Sequence, residues 1–138
     1  FERGCCDEEN VSRSGYSDDC ENIAMWRGAV ASASRGKRGQ RFFTEMLEAL
    51  DAMPFKQLIS YELVQNGKHC ALGVLGEKRG LPIDKIEAED YHTVAGHFDI
   101  APCLAQETVY MNDEWGRHDE TDAQRWTRMR AWVASQIK

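Results

Sequence analysis

Long apolar runs, proline and paired cysteines are all scarce in this chain, and each scarcity removes a class of protein. No stretch approaches the roughly 18 consecutive apolar residues of a membrane-crossing helix, so no membrane contact is expected. Three prolines in 138 residues leave long segments free to be helical. The five cysteines, Cys5, Cys6, Cys20, Cys70 and Cys103, are odd in number and never spaced as C-x-x-C. They read as reduced thiols, with Cys70 and Cys103 as small core residues, rather than as a disulfide framework or a zinc site. His92 and His97 stand five apart and His69 adjoins Cys70, which gives no zinc geometry either. These histidines are expected to face water or cap helices, and neither metal nor cofactor is expected. Excess positive charge is lacking too. A net charge of −6 and a pI near 5.2 weigh against general affinity for nucleic acid, so any polyanion contact must be local.

What remains is an ordinary globular composition, 42% apolar and 29% charged, with enough aromatic residues for a core in one domain. The first ten residues, FERGCCDEEN, show neither strand nor helix periodicity and no apolar signal-peptide segment. They read as an extension upstream of a start at Val11, leaving 11–138 as a single helical domain.

Periodicity then predicts about five or six helices in an all-α bundle. The first is capped by Asp18 or Asp19 and carries Ile23, Trp26, Val30 and Ala33 on its apolar face. Its other flank, Ala24, Gly28, Ala31 and Ser32, is small enough for close backbone approach, which predicts a central position. It ends at Gly36. The second runs from Lys37–Gly39 to Met53, stopped by Pro54, with Phe43, Met46, Leu47 and Leu50 inward and Glu45, Glu48 and Asp51 in water. Residues 58–76 allow two readings. Asn66-Gly67 signals a hairpin, giving an α+β alternative, whereas Glu62 and Gln65 fit a helix better, and a helix–turn–helix is the favoured reading. Ala71, Leu72 and Leu75 then have helical spacing, with Gly80 as the stop. A short helix carrying Val94 and Phe98 follows, then one from Ala101 to Met111 with Leu104, Ala105, Thr108 and Val109. Thr121 and Gln124 form a capping-box pattern opening a last helix with Trp126, Met129, Val133 and Ile137 inward.

Two clusters carry chemistry. ASRGKRGQRFF places Arg35, Lys37, Arg38 and Arg41 around the start of the second helix. Free amides and the helix dipole add positive potential there, so the corner suits phosphate, a nucleotide or an acidic partner surface. The P-loop order is absent, and carboxylates from elsewhere in an acidic chain are the competing explanation. YMNDEWGRHDE gathers Asn112, Asp113, Glu114 and His118, with Asp119 and Glu120 beside them. Such a set can hold a hard cation or supply an acid/base pair. It lacks the EF-hand order, and a polar connector tying up helix ends, with Trp115 packed, explains it equally. No G-x-S-x-G elbow supports a hydrolase. The last helix adds Arg125, Arg128 and Arg130 as a potential extension of the basic corner towards nucleic acid.

The segments SRSGYSDDCEN, WRGAVASASRGKRGQ, EMLEALDAMP, CALGVLGEKRG, YMNDEWG and RWTRMRAWVASQI resemble a family of small uncharacterised proteins encoded by tailed bacteriophages and prophages. The resemblance spans most of the chain after Val11. It implies a phage-derived accessory protein acting in the bacterial cytoplasm, and it implies no activity. The expected function is therefore non-enzymatic binding of a host macromolecule, a protein above all, through the basic corner. A phosphate- or nucleotide-binding enzyme and a nucleic-acid-binding accessory factor are the alternatives.

Overall fold

The computed structural model describes residues 23–138. The capping role of Asp18 or Asp19, the 1–10 extension, Cys5, Cys6 and Cys20, and the side chains of Ile23 and Ala24 all lie outside the described residues. Helix α1 (Ile23–Arg35) gives way to α2 (Lys37–Asp51) at the single extended residue Gly36. The turn is that short because Gly39 has no side chain. A Cβ built there would stand 2.1 Å from the Ala33 carbonyl oxygen, so the first turn of α2 lies directly against the last turn of α1.

Helix α2 buries Phe42, Phe43, Met46, Ala49 and Leu50 and packs on the last helix and on the third. Phe42 joins the expected stripe, and Leu47 is only half-buried. The helix stops at Asp51, slightly earlier than expected. The Ala52 and Met53 amides still bond back into its last turn, and Pro54 prevents continuation.

Beyond Pro54 the favoured helix–turn–helix does not form. A minimal antiparallel hairpin, β1 (Val64–Gln65) and β2 (Lys68–His69), takes its place. Asn66 and Gly67 both have positive φ, 54° and 77°, the conformation that twists two strands together over a two-residue turn. The Glu62 and Gln65 spacing is overridden by tertiary packing. Leu58 and Leu63 are buried as separate anchors, and the Leu63 carbonyl lies where a Cβ on Gly73 would come within 1.9 Å. The hairpin is too small to form a layer, and the all-α reading holds.

Helix α3 (Ala71–Arg79) starts on Cys70, whose buried thiol accepts from the Gly73 amide at 3.4 Å, and ends at Gly80 with φ 76°. Residues Ala71 to Gly76 are all buried. A 3-10 turn at Ile83–Lys85 leads to α4 (Tyr91–Phe98), capped by Asp90, and to α5 (Pro102–Asp113), buried continuously from Leu104 to Val109. Helix α6 (Asp122–Gln136) closes the fold, with both bonds of the Thr121–Gln124 capping box formed. Met129 and Val133 are buried, whereas Trp126 and Ile137 are half-buried. The central helices are thus α3 and α5.

Helix α1 is not central, contrary to its small flank. Gly28, Ala31 and Ser32 are exposed, and the helix rests on α2 and α5 through Val30, Ser34 and an Arg27–Glu107 pair at 3.3 Å. Close approach by small residues does occur, but at Gly39 of α2 and at Gly73 and Gly76 of α3. Cys103 is only half-buried, whereas Cys70 is in the core. No helix among the described residues is long and apolar enough to cross a membrane.

Candidate binding surface

The four corner cations sit on the last turn of α1 and the first turns of α2, and all four are exposed. Arg38 reaches Asp99 at 3.3 Å in a pair open to solvent on both sides. Such a pair is screened and contributes about 0–1 kcal/mol. Among the described residues Arg35, Lys37 and Arg41 make no ion pair. Every other described arginine does: Arg27 with Glu107, Arg79 with Glu45, Arg117 with Asp119, Arg125 and Arg128 with Glu120, and Arg130 with Asp51.

Local sequence makes this corner electrostatically unfavourable by itself. The first turn of α2 holds Lys37 and Arg38 and no acidic residue, and Gly36 supplies no capping side chain. Cations placed at the positive end of a helix dipole raise the energy of the free protein, and a bound anion would lower it. The glycines have a different role from a phosphate cradle. Gly36 is at φ −69°, a conformation any residue adopts, and Gly39 is buried against α1.

The arginines of α6 do not extend the patch. The Arg128 guanidinium clasps Glu120 with Nε to Oε2 at 2.7 Å and Nη2 to Oε1 at 2.9 Å, and it also donates to the Met111 and Asn112 carbonyls. Arg125 donates to the Leu58 carbonyl and Asp122, while its Nε stands 3.5 Å from Glu120 without hydrogen-bond alignment. The Glu120 side chain is 9% exposed and its carboxyl is held below its ordinary value, first by the Arg128 hydrogen bonds. Gly116 leaves room for this pair, since a Cβ there would meet both partners within 2.7 Å. Arg130 grips Asp51 and lowers its pKa. Trp132 packs edge-on against Phe43, and the Trp126 Nε1 donates to the Leu50 carbonyl.

The second cluster comes apart in the fold. The Asn112 side chain is buried within the molecule, where its Oδ1 accepts from the Ala71 amide at 3.1 Å and its Nδ2 donates to the Ile59 carbonyl at 3.0 Å. Asp113 accepts from the Tyr61 amide and from Asn112. Together they fasten the irregular 59–61 segment and the start of α3 to the end of α5. That is the connector role. Glu114 is half-buried at the end of α5, and His118 is exposed on the following loop. Trp115 is mostly exposed, 6.2 Å from the Tyr110 ring between centroids. Among the described residues no three His, Cys, Asp or Glu side chains gather closely enough to hold a metal ion. His92 and His97 face water.

Sequence reading missed two features. Glu120 anchors α6 through Arg128, and because it stands on the loop before the helix begins at Asp122, no periodicity links the two residues. A groove of about 410 Å³ also lies between the 53–57 segment, the hairpin and α3, lined by Met53, Phe55, Lys68, His69, Val74 and Glu77. The apolar Met53-Pro54-Phe55 run just after a helix stop was its one visible sign. Comparison of the chain with family models, curated proteins and solved structures returns no match in any of the three.

Proposed function

We propose that this protein is a non-enzymatic binding module, made by a phage or prophage in the bacterial cytoplasm, that engages an acidic surface of a host protein through Arg35, Lys37 and Arg41. The observation that carries the reading is the selective lack of pairing: in a chain of net charge −6, the described arginines without a carboxylate partner both lie at this corner. Exposed cations of one sign steer an acidic partner and set its orientation. Two observations favour binding over the alternatives. Asn112 and Asp113 bond backbone groups, which supports a structural role for them. The α6 arginines pair with Glu120 and Asp51, which supports a small basic contact over the broad basic face that suits nucleic acid.

The test is capture by the immobilised full chain from extract of a bacterial host, followed by mass spectrometry. The expected result is one host protein retained at low salt, released as salt rises, and lost from an Arg35→Ala, Lys37→Ala, Arg41→Ala variant that melts like the wild type. Equal capture by wild type and variant would sink the reading. Salt-sensitive binding to duplex DNA would favour the nucleic-acid role instead. A nucleotide-induced rise in Tm, abolished by Arg38→Ala, would favour the phosphate-binding role.

A further inference from the structure

Aromatic side chains are usually drawn into the core, yet Phe55 is 78% exposed and stands beside an apolar groove that it does not fill. Pro54 explains the placement, since it ends α2 and turns the chain outward before Leu58 re-enters the core. The groove is lined by Met53, Phe55 and Val74, by Lys68 and His69 of the hairpin and by Glu77 of α3, which stands beside His69. Its rim carries both signs of charge. Lys68 is exposed and makes no ion pair among the described residues, and the Glu77 side chain is 70% exposed, facing only the His69 imidazole at 3.7 Å. A ligand or peptide of one charge would be attracted by Lys68 or by Glu77 and repelled by the other.

A second copy of the chain matches it. In a two-fold interface residue i meets j while j meets i, so a surface with a knob, a hole, a cation and an anion is complementary to itself. We infer that this groove is a self-association surface: Phe55 of each copy seats in the groove of the other, and Lys68 of each meets Glu77 of the other. The site lies at the far end of α2 from the basic corner, about 22 Å along a 15-residue helix, and the inference stands whether or not the corner binds a host protein. A dimer would also present two basic corners to one partner, which raises apparent affinity without new contacts.

Sedimentation equilibrium of the full chain, from micromolar to near-millimolar concentration, tests it. The expected result is a reversible monomer–dimer equilibrium that Phe55→Glu abolishes while thermal melting at low concentration stays unchanged, the side chain being exposed. Lys68→Glu and Glu77→Lys should each weaken the dimer about tenfold, and the two together should restore it. The inference is overturned by a wild type that remains monomeric across the range, including one whose groove takes up a small apolar dye. It is equally overturned by assembly beyond two copies, or by a Phe55→Glu variant that dimerises as well as the wild type.

Discussion

Gly28 and Gly39 sit on consecutive helices and have opposite consequences. Gly28 is exposed in the interior of α1 with open space around a prospective Cβ, so its backbone freedom in the unfolded chain is a cost with no structural return. Gly28→Ala should raise stability by about 0.5–1 kcal/mol. Gly39→Ala drives a methyl into the Ala33 and Ser34 carbonyls, both backbone, and should cost about 2–4 kcal/mol by forcing the two helices apart. Urea denaturation of the two variants checks both signs together. The sequence shows two glycines in helical context and no more, because the distinction depends on what lies across the space. Asn112 teaches the same lesson. Its type suggested ligation or a connector, and only the positions of Ile59 and Ala71 decide for the connector. Asn112→Ala leaves the buried Ala71 amide and the half-buried Ile59 carbonyl without this partner and should cost about 2–4 kcal/mol in the same measurement.

At the scale of elements, α6 is fastened near its start and along its middle by side chains that reach other segments. Near its start, Glu120, Arg125 and Arg128 join it to the end of α5 and to Leu58. Along its middle, Trp126 and Arg130 hold the end of α2, and Lys56 lies 5.5 Å over the Trp126 ring. The Glu120 carboxyl is held below its ordinary value of 4.5 in the folded protein, so its stabilising effect is fully present above that pH and is lost as pH falls through the lower folded value. Glu120→Gln should therefore destabilise at neutral pH by about 2–4 kcal/mol, since Arg128 loses its counter-charge and Arg125 keeps only Asp122. The gap between wild type and variant should narrow progressively below pH 4.5, as denaturation curves across the acid range would show. A constant gap would mean that Glu120 acts through shape alone. The hairpin belongs to this scale as well. Asn66-Gly67 announced it, and the competing helical spacing was local information that burial of Leu58 and Leu63 overruled.

At the scale of the molecule, carboxylates pair most of the described arginines, and the corner between α1 and α2 is left positive. The Lys37→Glu substitution puts an anion at the start of α2, where the dipole favours it, and should raise stability by about 0.3–1 kcal/mol while weakening capture of an acidic partner. Thermal melting and the capture assay read the two effects separately. A stability gain together with undiminished capture would show that the corner is not the contact. The sequence by itself determined the helices, because 3.6-residue periodicity, a capping box, Gly80 and Pro54 act within a few residues of where they stand. It also determined that positive charge would concentrate at Arg35–Arg41. Tertiary structure alone decided which helices are central, which arginines are neutralised, that Asn112 and Asp113 bond backbone groups, and that exposed Phe55 lines a groove. Those outcomes depend on residues tens of positions apart meeting in space, and packing sets that proximity where local pattern does not.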